Sequence, residues 1–308
     1  MTVPNALDDP TATRLAAGDM EATFLPGHGM LGISLRHKGI EFLRRIDDLK
    51  AYAAGNKTAG IPFLFPWANR LAGFQYEVAG RGVTLSAHST LLRYDDNGLP
   101  MHGMMWPHLP WTVVEAEPDR LTASFDWSHP KCLLVFPYPC RLTMTATLDA
   151  AGLTIETALA ATSDIAVPVS FGFHPYLGLP DVPRQDWRVT LPEMRHPALD
   201  PKNIPTGASE PFPGMDAALA ERDFDDGFAL LGDQATLSVA GGGHRISVDL
   251  LEGYPFTQVY APHTQTYLAF EPMTAPANAL ISGTGLSLVE PGGTFRAAFR
   301  IHIDGEAD

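Results

Sequence analysis

Val169-Ser170-Phe171-Gly172-Phe173-His174-Pro175-Tyr176 is the stretch on which the fold is decided. From Val167 to Phe173 every second residue is apolar, the period of a strand with one buried face, and His174 falls on the other face. Pro175 cannot donate to a ladder, so the strand is expected to stop just past the histidine and leave its imidazole at the rim of a sheet. Gln265-Thr266-Tyr267-Leu268-Ala269-Phe270-Glu271-Pro272 repeats the plan. Here Leu268 and Phe270 share a face, and Tyr267 and Glu271 point to the other, again before a proline. Together the two stretches bring an imidazole and a carboxylate to strand ends among aromatic neighbours, which suggests an acid/base pair.

Working outward, the chain alternates like a set of hairpins. Leu142 to Leu148 alternates strictly, Asp149-Ala150-Ala151-Gly152 supplies a turn, and Leu153 to Thr157 alternates back. Phe74 to Val78 and Val83 to Leu85 flank a glycine-rich turn, as do Thr236 to Val239 and Arg245 to Leu250 around Gly241-Gly242-Gly243. Residues 181–220 are rich in Pro, Asp and Ala and read as long loops or a short excursion from the sheet. No segment carries a sustained helical period with caps, and no repeat has a solenoid or propeller spacing. The fold class is therefore all-β, a large antiparallel sandwich. One domain is expected over residues 1–308, with a loosely ordered N-terminus over residues 1–20.

Composition narrows the function. With 45% hydrophobic and 18% charged residues the chain has ample material for a core. A formal net charge of −14 repels polyphosphate backbones and anionic membrane surfaces. Nucleic acid and membrane are accordingly not expected partners. Cys132 and Cys140 lack a C-x-x-C spacing and a histidine pair at zinc-finger distance. With no secretory pattern before Arg14 they read as reduced thiols, and the expected compartment is the cytoplasm. Nothing in the sequence specifies an oligomeric state.

Three further stretches carry candidate chemistry. Gly60 to Leu71 is an apolar run punctuated by Pro62 and Pro66 that ends in Trp67-Ala68-Asn69-Arg70. Its prolines forbid a central strand or helix interior, and the guanidinium of Arg70 suits hydroxyls or a carboxylate. His102 precedes Gly103, where the lack of a Cβ lets a ligand or another backbone approach. Arg222 to Phe228 clusters carboxylates, Asp225 among them, around two aromatics, and reads on its own as a charged turn.

Taken in order, Trp67-Ala68-Asn69-Arg70, Met101-His102-Gly103, Phe171 to Tyr176, Phe224 to Phe228 and Phe270-Glu271-Pro272-Met273-Thr274 resemble the aldose 1-epimerase (galactose mutarotase-like) family. The resemblance implies a β-supersandwich whose concave face holds a sugar. It implies Glu271 as general base, His174 as general acid, and Arg70, His102 and Asp225 as contacts to sugar hydroxyls, with Asn69, Trp67 and Tyr176 beside them. Trp67, Phe173, Tyr176 and Trp106 are the rings that could line the pocket. The reaction agrees with these roles: a carboxylate takes the proton of the C1 hydroxyl, an imidazolium on the opposite side of the bond protonates the ring oxygen, and the same groups close the ring again. No hydride or phosphoryl group moves, so the expectation is no cofactor and no metal. A hexose-6-phosphate mutarotase and a non-catalytic sugar-binding protein of the same fold are the alternatives. A metal-dependent cupin-like isomerase would need clustered histidines, and none of the 11 stands in a His-x-His arrangement.

Overall fold

Asp149 shows how local chemistry sets the sheets. Its side chain accepts hydrogen bonds from the backbone N–H groups of Ala151 and Gly152, which closes the turn and fixes Leu148 opposite Leu153. In that register Leu142, Met144, Ala146 and Leu148 are all buried, as the alternation requires. The computed structural model describes residues 8–46, 48–54 and 58–305. Two antiparallel sheets dominate them.

The nine-stranded sheet runs Thr112–Ala116, Arg120–Trp127, Cys140–Asp149, Gly152–Ala161, Thr294–Gly305, His244–Glu252, Ala235–Gly241, Arg188–Leu191 and Met215–Ala218. The eight-stranded sheet runs Pro205–Phe212, Met194–Leu199, Phe224–Leu230, Phe256–Ala261, Leu268–Met273, Gly172–Phe173 and Phe63–Leu64, with Tyr176–Leu177 also pairing Leu268–Met273. A four-stranded sheet comprises Thr13–Ala17, Met20–Leu25, Leu31–His37 and Ile40–Glu41. Helices among the described residues are short, such as Leu49–Ala54 and Pro130–Val135. Both cysteines are free and buried.

Aromatic side chains join the two large sheets. Phe173 packs on Phe299 with ring centroids 4.9 Å apart and on Phe63 at 5.1 Å, and Phe65 meets Trp127 edge-on at 4.8 Å. All five are buried in one continuous core cluster. This sheet-on-sheet packing turns the outer face of the eight-stranded sheet away from the core.

Three expectations are corrected. The stretch from Val167 to Tyr176 is not one strand ending at Pro175. Val167–Val169 pairs with Ser287–Val289, Gly172–Phe173 joins the eight-stranded sheet, and Tyr176–Leu177 returns to it after the proline. Every residue from Val167 to Leu177 is buried, so the alternation does not mark one wet face. Residues 181–220 form four strands in place of long loops. Pro205 and Pro211 fit because Pro205–Phe212 is an edge strand, and Pro197 fits because it lies at a register shift beyond the residues that Met194–Leu199 pairs with Phe224–Leu230. The expected loose N-terminus gives way to strand Thr13–Ala17, paired along its length with Met20–Phe24; residues 1–7 lie outside the described residues.

Phe173 ties the segment that leads into His174 to the opposite sheet, so truncating it leaves a void in the core. Phe173→Ala is expected to cost about 3–5 kcal/mol of folding stability, read by urea denaturation; a loss below about 1 kcal/mol would contradict this packing.

Candidate active site

Register places the site residues. Gln258 lies opposite Glu271 across the Phe256–Ala261 and Leu268–Met273 pair, and Tyr260 lies opposite Ala269. On the next strands Asp225 pairs with Tyr260, Gly227 with Gln258, and Tyr176 with Ala269. Because side chains two apart share a face, Asp225, Gln258, Tyr260, Glu271 and Tyr176 form one polar face, hollowed where Gly227 and Ala269 are small. Their neighbours Val259 and Phe270 face the core.

The two irregular segments that close the hollow are locked to each other. Asn69 has φ 56° and His102 φ 60°, and each backbone binds the other segment: the Asn69 N–H donates to Nδ1 of His102 at 3.1 Å, and the His102 N–H donates to the Asn69 carbonyl at 2.8 Å. An acceptor at Nδ1 leaves the Nε2 proton of a neutral His102 free to donate. Gly103 adopts φ 66°, and a Cβ there would collide with the Phe65 carbonyl. The close approach expected at this glycine is thus made by backbone.

Arg70 is held between carboxylates. Its Nε donates to Asp95 at 3.2 Å, and Nη2 lies 3.5 Å from Asp225. Asn69 donates through Nδ2 to Gln258 at 3.1 Å, and Gln258 donates through Nε2 to Asp225 at 2.8 Å. The network runs without a break from Asp95 to Asp225 and fixes every polar group along one wall.

His174 and Glu271 occupy the floor. Nε2 of His174 lies 3.2 Å from Oε1 of Glu271, and the residues are only 5% and 2% exposed. The imidazole stacks on Tyr176 at 4.1 Å and meets Tyr260 edge-on at 5.6 Å. Burial pushes the Glu271 carboxyl well above the usual carboxylate range; Asp225 adds to the rise, and Arg70 and Arg93 oppose it. Burial, followed by the charge of Arg93, pulls the His174 imidazole down to about 3. His102 is lowered by the same burial, with Arg93, His174 and Arg70 contributing. Both shifts at the floor favour a carboxyl and an imidazole that share one proton over an ion pair. Nδ1 of His174 and Oε2 of Glu271 are buried with no hydrogen-bond partner among the described residues.

These residues line a cavity of about 290 Å³, a size suited to a small molecule. Of the residues singled out from sequence, Asn69, Arg70, His102, His174, Tyr176, Asp225 and Glu271 all line it. Trp67 does not: it is fully buried in the core, its backbone bridged to Ser170. Phe173 is likewise core, and Trp106 packs with Leu25, Leu31 and Ile33 in a separate cluster. The acid and base expected on opposite sides of a bond stand side by side. Missed in the sequence were Gln258, Tyr260, Arg93, Asp95 and Asn203. The polar positions of the alternating Gln258-Val259-Tyr260 were the available signal. Among the described residues no cluster of three or more His, Cys, Asp or Glu side chains is arranged to hold a metal ion.

Removing the cation that holds this wall would strand the buried Asp95. Arg70→Met is expected to lower stability by about 3 kcal/mol or more, measured by chemical denaturation near pH 7, and adding Asp95→Asn to it should recover part of the loss. Equal stability of wild type and Arg70→Met would contradict the pairing.

Comparison with known proteins completes the picture. A family profile described as aldose 1-epimerase matches residues 15–302. The chain is 25% identical over 299 residues to YihR, an uncharacterized protein of Escherichia coli K12, covering 94% of this chain and 92% of that one. Among solved structures it is similar to Slr1438 from Synechocystis sp. PCC 6803, with 24% identity, TM-score 0.78 and 97% of both chains covered. It is also similar to a galactose mutarotase-like protein from Clostridium acetobutylicum, with 19% identity, TM-score 0.82 and 95% of both chains covered. The galactose mutarotase-like fold expected from the motifs is the one these strands build, and with a profile match over nearly its whole length the chain belongs to the aldose 1-epimerase family.

Proposed function

We propose that this protein is a mutarotase that interconverts the α and β anomers of a free aldose by general acid/base ring opening and closure. The observation that carries this reading is the buried contact between His174 and Glu271 at 3.2 Å, with one unpartnered polar atom on each residue.

The geometry fits the reaction. The anomeric hydroxyl and the ring oxygen of a pyranose are both bonded to C1, so two adjacent groups can address both. With the shared proton passed to His174 across the 3.2 Å contact, the Glu271 carboxylate takes the proton of the C1 hydroxyl, His174 gives its proton to the ring oxygen, and the C1–O5 bond breaks to an aldehyde. Rotation about C1–C2 presents the other carbonyl face, and the two residues work in reverse. A base whose pKa burial raises above the usual carboxylate range is better matched to this exchange than an ordinary carboxylate. Nε2–H of His102, Arg70 and Asp225 supply donors and an acceptor for the remaining hydroxyls, and their shared network positions them in advance.

Glu271→Gln keeps the shape and removes the base. Polarimetry of freshly dissolved α-D-glucose and α-D-galactose is expected to show turnover falling by about 10²–10⁴ in that variant, and similarly in His174→Asn. Wild-type-like rates in either would sink the assigned role.

The pH profile offers a separate check. The pair works with one proton, so activity is lost as pH rises through the raised Glu271 pKa, where that proton leaves, and as pH falls through the lowered His174 pKa, where a second is taken up. No limb of kcat/KM is therefore expected near the ordinary glutamate and histidine values of about 4.3 and 6.5, and both limbs belong to the His174–Glu271 pair as a unit. A limb at either value would contradict the burial of the pair.

A further inference from the structure

One residue on the cavity wall comes from a strand pair of its own. Asn203 lies in the turn between Met194–Leu199 and Pro205–Phe212, the outermost pair of the eight-stranded sheet, and it lines the catalytic cavity together with Arg70 and Asp225. The turn is firmly built. Oδ1 of Asp200 accepts hydrogen bonds from the N–H groups of Lys202 and Ile204 at 2.8 and 2.9 Å. The Asn203 N–H donates to the Asp200 carbonyl, and the Asp200 N–H to the Ile204 carbonyl, both at 2.9 Å. Ile204 is buried. Asn203 itself has φ 60°, a conformation open to asparagine and to glycine.

The carboxamide of Asn203 plays no part in that turn. Among the described residues it takes no protein partner, although the residue is half-buried. The neighbouring amides differ. Asn69 and Gln258 are bonded to each other and to Arg70 and Asp225, and Asn97 is exposed at the rim. Asn203 therefore holds two free donors and a free acceptor beside the cavity on a fixed support.

Strand order locates it relative to the chemistry. Outward from Leu268–Met273, which carries Glu271, come Phe256–Ala261, Phe224–Leu230 and then the pair that carries Asn203, at about 4.8 Å per strand. Asn203 thus lies beyond Asp225 from Glu271. It also lines, with Asn69, Arg70 and Gln258, an adjoining cavity of about 200 Å³ that neither His174 nor Glu271 reaches. In a pyranose the ring edge opposite the C1–O5 bond is C3–C4. We infer that Asn203 is a specificity-determining contact that hydrogen-bonds a hydroxyl on C3 or C4 of the sugar. The inference rests on the reading of the cavity as an aldose site with C1 and O5 over the His174–Glu271 pair. If Asn203 served only the positive φ of its turn, glycine would replace it without consequence for any hydroxyl.

Titration of the full chain with D-glucose and D-galactose, followed by protein NMR shifts, and then with the 2-, 3- and 4-deoxy analogues of the tighter binder, tests this without relying on turnover. Deleting the hydroxyl that Asn203 meets is expected to weaken binding about threefold to tenfold, and the analogue affected, 3-deoxy or 4-deoxy, identifies its position. In Asn203→Gly, which suits the turn, that penalty should fall below about twofold, while the effect of the 2-deoxy change should match wild type. The wild-type comparison stands whether or not the variant folds. Equal binding of the parent sugar and both the 3-deoxy and 4-deoxy analogues, penalties that survive unchanged in Asn203→Gly, or no binding of either parent sugar would overturn the inference. Coupling between Asn203 and one hydroxyl with no acceleration of anomer exchange would refute the mutarotase reading and keep this one; accelerated exchange with no such coupling would do the reverse.

Discussion

A carboxyl and an imidazole held 3.2 Å apart out of water set a constraint that the rest of the molecule must satisfy. Neither group can ionise freely at such a depth, so each leans toward its neutral form and the proton between them becomes mobile in function. Holding them there takes rigid support. Glu271 sits within a strand flanked on both sides, His174 is clamped between the rings of Tyr176 and Tyr260, and Phe173 fastens the segment to the opposite sheet. Sheet packing and site chemistry are two aspects of the same arrangement.

The second element of the design is a wall of fixed polar groups. Asp95, Arg70, Asn69, Gln258 and Asp225 are joined by successive hydrogen bonds and ion pairs, and the Asn69–His102 backbone exchange orients the imidazole that faces the cavity. Such a wall needs little reorganisation when a polyol enters, which is how preorganised polar sites favour one substrate pose.

What could be seen in the sequence follows from which signals are local. The hairpin at Asp149 was legible because alternation, turn chemistry and pairing all act within a few residues. His174 and Glu271 were singled out by their places before prolines, but it was the five motifs in family order, and not that position, which set them apart from ordinary strand-end residues. The 181–220 strands were hidden because edge positions tolerate the prolines that argue against strands. Trp67 misled because its neighbours Asn69 and Arg70 do reach the cavity, while a backbone bridge to Ser170 accompanies a ring turned into the core. Gln258, Tyr260 and Arg93 become site residues only through register with distant strands, which no local pattern encodes.

The central claim is that the His174–Glu271 pair moves protons between the anomeric hydroxyl and the ring oxygen. Two-dimensional exchange NMR on an equilibrated aldose, followed through the α and β anomeric protons, tests it at equilibrium and without a coupled assay. The account predicts exchange cross-peaks whose rate rises in proportion to wild-type protein and returns to the buffer rate when both residues are replaced together. Exchange that stays at the buffer rate with wild-type protein, or that persists in the double variant, would contradict it.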